Sequence, residues 1–147
     1  MHQHGGNIYK YQNLIDFSTN TNLAGMPESV KKAAHQAVEL SSGYPDPKCT
    51  QLMKAISDYE NMPIEYILSG NGAAELIFLV TQARRPRKAL ICGPTFYEYE
   101  KALRSVNCEV SYFFMKSDEE FILSDQILEE IQAGIEMVYL CNPNNPT

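Results

Sequence analysis

Three short stretches carry residue types that can bind or orient a small ligand, and each follows an apolar run. In Gly70-Asn71-Gly72-Ala73-Ala74-Glu75 the glycines let the backbone turn sharply and approach a ligand with no Cβ in the way. The apolar segment beyond reads as a helix, so unpaired N–H groups and the positive helix end would converge on one point, a site for an anion such as phosphate. The same residues also fit a plain strand-to-helix turn. A phosphate loop would end in Gly-Lys-Ser/Thr and a dinucleotide fingerprint would carry a third glycine, and neither is present. In Asn142-Pro143-Asn144-Asn145-Pro146-Thr147 two prolines restrict the backbone and three amides can donate or accept hydrogen bonds, which suits orientation of a cofactor as well as a stiff turn. Pro94-Thr95-Phe96-Tyr97-Glu98-Tyr99 offers a ring that could stack on a flat ligand or fill a core.

Other stretches carry less. His4-Gly5-Gly6-Asn7 joins two hydrogen-bonding side chains to a pliable backbone and could close over an anionic substrate or be a frayed end. His2 and His4 lack the acidic or cysteine cluster a metal site needs, so no metal is expected. Ser29-Val30-Lys31-Lys32 imitates a Ser-x-x-Lys pattern, but Lys32 falls on the outer side of an amphipathic helix.

These motifs need elements to hold them. Tyr66–Ser69, Lys88–Cys92, Glu109–Met115 and Glu136–Cys141 read as strands with helical stretches between most of them, the alternation of an α/β fold with parallel strands and crossover helices. Ala73–Ala83 is apolar nearly all round, as a helix packed between a sheet and further protein would be. Thr95–Ser105 keeps helical spacing, and Ser124 begins another helix that Gly134 ends. Earlier, Pro27–Leu40 is an amphipathic helix after a polar arm. In Tyr44-Pro45-Asp46-Pro47, Asp46 is placed to cap a helix that starts at Pro47 and turns Leu52, Ile56 and Tyr59 inward. The three motifs would then meet at the carboxyl ends of the strands, where open parallel sheets place their ligands.

The chain has 147 residues, 44% hydrophobic and 20% charged, enough for one core without a disulfide or metal. A formal charge of −6 with mostly scattered basic residues argues against nucleic acid, and Arg84–Lys88 reads as a wet turn before a strand. Cys49, Cys92, Cys108 and Cys141 show no C-x-x-C spacing and read as reduced core residues. No apolar run approaches the ~18 residues of a membrane span, so a cytoplasmic location is expected.

Taken in order, Tyr44–Pro47, Gly70–Glu75, Pro94–Tyr99 and Asn142–Thr147 resemble the motifs of class I and II pyridoxal 5′-phosphate-dependent aminotransferases. His4–Asn7, Asp16-Phe17-Ser18, the run from Gly70 to Ile77 and Phe96 followed by Glu98-Tyr99 look most like the threonine-phosphate decarboxylases of cobalamin biosynthesis. Histidinol-phosphate aminotransferases are the close relatives. The resemblance implies the fold type I large domain, three layers α/β/α, with 1–45 as arm and small-domain helix and 46–147 as the first part of the large domain. It implies that Gly72, Ala73 and Ala74 hold the cofactor phosphate, Phe96 stacks on the pyridine ring and Asn145 bonds the phenolic oxygen. Tyr44 would reach the phosphate of a neighbouring subunit, which makes a homodimer with shared sites, and His4 and Asn22 would lie near a phosphorylated amino-acid substrate.

Two departures stand out. Asn22-Leu23-Ala24-Gly25 replaces the family's usual Asn-Pro-Leu-Gly, and Phe96 stands where an aminotransferase more often has tyrosine. The resemblance puts the Schiff-base lysine, the aspartate beside the pyridinium nitrogen and the carboxylate-binding arginine beyond Thr147. The 147 residues alone are therefore expected to be inactive. The implied activity of the whole enzyme is decarboxylation of an O-phosphorylated amino acid, with transamination of histidinol phosphate and a non-catalytic binding domain as the alternatives.

Overall fold

Strand β1 (Lys88–Gly93) is the centre of the molecule: Ala89, Leu90, Ile91 and Cys92 are buried from both sides. A strand covered on both faces has no use for polar alternation, which is why Ala-Leu-Ile-Cys is a continuous apolar run. The computed structural model describes residues 9–10, 15, 19–131, 134–145 and 147. Among them β1 pairs in parallel with β2 (Glu109–Phe114) on one side and with β3 (Met137–Tyr139) on the other, giving the order β2-β1-β3. The register sets Lys88 beside Glu109 and Ile91 beside Tyr139.

Helices cover both faces, as an α/β/α arrangement requires. On one face α4 (Glu98–Ser105) buries Leu103 against Ala89, Ile91 and Cys108, with Tyr99, Val106 and Tyr139 packed around them. Helix α3 (Gly72–Arg84) packs beside α4. The short α5 (Ile127–Ile131) covers the other face, where Ile127 meets Leu90 and Cys92.

The strands predicted at Lys88–Cys92, Glu109–Met115 and Glu136–Cys141 are present, the first one residue longer and the other two trimmed, whereas the one at Tyr66–Ser69 is not. Ile64–Tyr66 is a turn of 3-10 helix and Ile67 is extended (φ −109°, ψ 132°). The local geometry is that of a strand, but no strand among the described residues pairs with it. A strand exists only through its ladder. The second correction concerns α2, which begins at Thr50 and not at Pro47 (Thr50–Glu60). Cys49 takes a left-handed conformation (φ 48°) just before it. Asp46 still caps from outside: its carboxylate accepts the Lys48 and Thr50 N–H at 2.9 and 2.7 Å, and those bonds lower its pKa from 3.8. Leu52 and Tyr59, expected to face inward, are exposed because no described element packs over them. Helix α1 (Glu28–Leu40) likewise buries no residue.

The two other predicted helices start late. Thr95 and Phe96 precede α4, and Ser124 precedes α5, while Gly134, at φ +83°, has the left-handed geometry of a helix stop. The cysteines divide as well: all four are free, Cys92 and Cys108 are buried, but Cys49 is exposed and Cys141 partly so. Cys141 lies past the end of β3, which stops at Tyr139, and so escapes the core. No described helix is long and apolar enough to cross a membrane.

At the amino edge of the sheet Glu136 locks β1 to β3. Its carboxylate accepts the Arg87 backbone N–H at 2.7 Å and Nε at 2.8 Å, with Nη2 at 2.6 Å. These bonds hold the Glu136 pKa below its ordinary 4.5. A depressed carboxyl pKa contributes stability that is present above the unfolded value and lost as pH falls through the folded one. Chemical denaturation measured from pH 7 downward should therefore show a loss of stability below pH 4.5 that is smaller in Glu136→Gln.

Candidate functional site

The topology brings the three predicted motifs to one edge. In a parallel sheet all strands end on the same side, so the loop after β1, Pro94–Tyr97, and the loop after β3, Leu140–Asn145, leave the same carboxyl edge. Helix α3 runs back along the sheet before turning into β1. Its 13 residues span about 20 Å, close to the length of a six-residue strand. The Tyr139 hydroxyl meets Thr81 Oγ1 at 2.5 Å and donates to the Ile77 carbonyl at 3.3 Å. Because Tyr139 lies beside Ile91, Ile77 is level with mid-strand, and Ala73 is one turn, about 6 Å, nearer the carboxyl edge.

The start of α3 has the electronic character an anion needs. The first N–H groups of any helix lack an intrahelical acceptor, and here two are already taken. Asn71 N–H donates to the Glu75 carboxylate, which also receives Asn71 Nδ2 at 3.2 Å, and Gly72 N–H donates to the Gly70 carbonyl at 2.9 Å. Among the described residues no acceptor meets the N–H of Ala73 or Ala74. These two donors are exposed at the positive end of α3, which fits a phosphate group. Gly72 sits at φ +82° with open space around its missing Cβ. Gly72→Ala should therefore cost about 1–2 kcal/mol through backbone conformation alone, measurable by urea denaturation, and weaken phosphate binding by turning the two amides.

The edge also offers a ring. Phe96 is 39% exposed and meets Tyr99 in a T-shaped contact with centroids 5.9 Å apart. Tyr99 stacks on Tyr139 at 4.6 Å. Burial, and then the neighbouring Cys141, pushes the Tyr99 phenol up to about 12, so this ring supports its neighbours and is no general base near neutral pH. Phe96 also lines a cavity of about 360 Å³, together with Pro94, Tyr97, Glu100, Tyr112 and Phe114. Neither the cradle of α3 nor Asn145 lines it. Among the described residues no group of His, Cys, Asp and Glu could hold a metal.

Asn145 is exposed at the end of the β3 loop. Its neighbour Asn144, half-buried, joins the two loops: Oδ1 accepts from Thr95 Oγ1 at 2.8 Å, and Nδ2 donates to the Pro94 carbonyl at 2.8 Å and to Thr147 Oγ1 at 2.7 Å. Those bonds span 49 and 50 residues of chain, so nothing local in the sequence marks them. Gly72, Ala73, Ala74, Phe96 and Asn145 thus belong to one edge. Tyr44 stands apart, 95% exposed. The Asn22 amide bonds within its own turn, accepting from Ala24 N–H at 3.1 Å and donating to the Gly25 carbonyl at 2.9 Å. His4 lies outside the described residues.

Comparison with known proteins places the chain in a family. Residues 12–147 match the family model described as aminotransferase class I and II. The chain is 38% identical over 152 aligned residues to the threonine-phosphate decarboxylase of Salmonella typhimurium, covering 98% of this chain and 42% of that protein. Among solved structures it resembles the histidinol-phosphate aminotransferase of Clostridium acetobutylicum, with TM-score 0.79, 28% identity and coverage of 91% of this chain and 39% of that one. It also resembles the L-threonine-O-3-phosphate decarboxylase of Porphyromonas gingivalis, with TM-score 0.66, 27% identity and coverage of 81% and 34%. The chain thus spans about two-fifths of the length of the curated relative it matches. With the family model spanning all but the first eleven residues, the chain belongs to the class I and II aminotransferases, a pyridoxal phosphate-dependent family.

Proposed function

We propose that this chain supplies the phosphate cradle, ring platform and phenolic-oxygen contact of a pyridoxal phosphate enzyme that decarboxylates an O-phosphorylated amino acid. The observation that carries the cofactor assignment is the pair of unpartnered N–H groups at Ala73 and Ala74 on the positive end of α3. When bound, the cofactor supplies an electron sink for the bond that breaks. The protein's part is to hold it. Ala73 and Ala74 N–H anchor the phosphate, with Gly72 shaping the turn. Phe96 presents a ring face to the pyridine, and the Asn145 amide donates to the phenolic oxygen. Tyr44, free of the edge in its own chain, reaches the phosphate of a second copy in a homodimer. His4 and Asn22 would lie on the substrate side. The first 45 residues form an arm and small-domain helix, and 46–147 the start of the large domain.

The choice of substrate rests on sequence similarity. The identity to the Salmonella decarboxylase is 38% over nearly the whole chain, against 29% to the histidinol-phosphate aminotransferase of Bacillus velezensis. The aminotransferase reading has one observation in its favour, the higher TM-score of the Clostridium structure. Incubation of the full-length enzyme, which carries the residues expected beyond Thr147, with pyridoxal phosphate and O-phospho-L-threonine separates the two. Release of carbon dioxide with no keto-acid acceptor is the expected result. Turnover that requires 2-oxoglutarate and yields glutamate would reject the decarboxylase in favour of transamination.

A further inference from the structure

We propose that Asn144 is a positioning residue that clamps the two ligand-bearing loops together, so that Phe96 and Asn145 keep a fixed spacing. The proposal rests on the cofactor reading above, but the clamp itself is a property of the protein. A primary amide has one acceptor oxygen and two N–H donors. In Asn144 all three are engaged: Oδ1 by Thr95, the two Nδ2 protons by the Pro94 carbonyl and by Thr147 Oγ1. Only one orientation of the amide works, because rotating it by half a turn would set Oδ1 against the Pro94 carbonyl, two acceptors face to face. The bonds to Thr95 and Pro94 are partly shielded from solvent, where a lost partner is costlier than in water.

The position of the clamp gives it a function. Thr95 is one residue before Phe96, and Asn144 is one residue before Asn145. The ring platform and the amide proposed to meet the phenolic oxygen therefore hang from adjacent links of the same bridge. Helix α3, which carries the phosphate donors, is fixed separately through Thr81 and Tyr139. A flat phosphorylated ligand is thus gripped at two places set by different contacts. Loosening Asn144 should disturb the ring end and leave the phosphate end in place, a separation that general destabilisation does not produce.

The test uses Asn144→Leu, which keeps the size and removes all three bonds, and Thr95→Val, which keeps the shape and removes one. The ligands are 4′-deoxypyridoxine 5′-phosphate, which lacks the aldehyde and reports non-covalent contacts only, and inorganic phosphate. For Asn144→Leu we expect the Kd of the ring-bearing ligand to rise about tenfold and for Thr95→Val about threefold, as for loss of hydrogen bonds of ordinary strength. The Kd of phosphate should stay within about twofold of wild type. Amide hydrogen exchange in the absence of ligand should speed up in both loops, 94–98 and 141–147, in each variant. If exchange accelerates only in 141–147, the clamp does not exist. Equal weakening of both ligands would reduce Asn144 to a structural residue and overturn the proposal. Failure of the wild type to bind 4′-deoxypyridoxine 5′-phosphate would reject the cofactor reading, and the exchange result would still judge the clamp. Should Asn144→Leu not fold, Thr95→Val carries the same two readouts.

Discussion

Ala73→Asp is expected to abolish anion binding while leaving the fold as stable as before, or slightly more so. Ala73 is the second residue of α3 and is exposed. A carboxylate there faces the positive end of the helix, which is worth about 0.3–1 kcal/mol of stabilisation at an exposed first turn. The same carboxylate sits where the phosphate would, and two like charges about 4 Å apart repel by about 4 kcal/mol at an effective dielectric near 20. With partial screening, the Kd for inorganic phosphate and for 4′-deoxypyridoxine 5′-phosphate should rise at least about a hundredfold. Calorimetric titration reads the affinity, and a thermal melt of the same sample reads the stability. Retained affinity would mean that the phosphate is held elsewhere than at α3. The opposed signs matter, because a variant that merely damaged the fold would lower both.

Leu90→Ala should have the largest effect on stability, about 2–5 kcal/mol. Leu90 is fully buried in the central strand, where it packs with Cys92 and Ile127 under α5. The flanking strands and the helix hold the surrounding backbone, so the cavity left by the truncation has little room to close. Urea denaturation of the variant measures the loss. Leu128→Ala is the matched control: Leu128 is the next residue along α5 but 55% exposed, and its truncation should fall within about 0.5 kcal/mol of wild type. A cost at Leu128 as large as at Leu90 would mean that α5 packs against the sheet by its other side.

Much of this architecture was legible in the residues. The run Ala89–Cys92 read as a strand and is one buried on both faces, and Gly70–Gly72 read as a sharp turn before an apolar helix, which is where α3 begins. The three motifs could be assigned to one edge because parallel strands end together. What could not be read were relations between distant residues. Tyr66–Ser69 has the composition and part of the geometry of a strand, but a strand needs a neighbour, and composition does not supply one. Leu52 and Tyr59 have the spacing of a buried face, yet periodicity names a face without naming what covers it. The Asn144 amide was visible as a polar group in a stiff loop, while its partners Pro94 and Thr95 lie 50 and 49 residues away and have no local signature.

The strand order β2-β1-β3 also sets a sequence of events in folding. β1 meets β2 across a short connection, Lys88 beside Glu109, whereas β3 comes to the opposite flank from farther along the chain, Met137 beside Ala89. Closing the longer loop costs about 0.7 kcal/mol more in chain entropy. The β1–β2 pair and its crossover helix α4 should therefore assemble first, with the Phe96 loop already shaped and β3 docking afterwards. Asn144 and Asn145 arrive only with that last strand. A chain caught before the final docking step would have most of its core and half of its ligand edge, so recovery of ring-ligand binding during refolding should lag behind burial of the core.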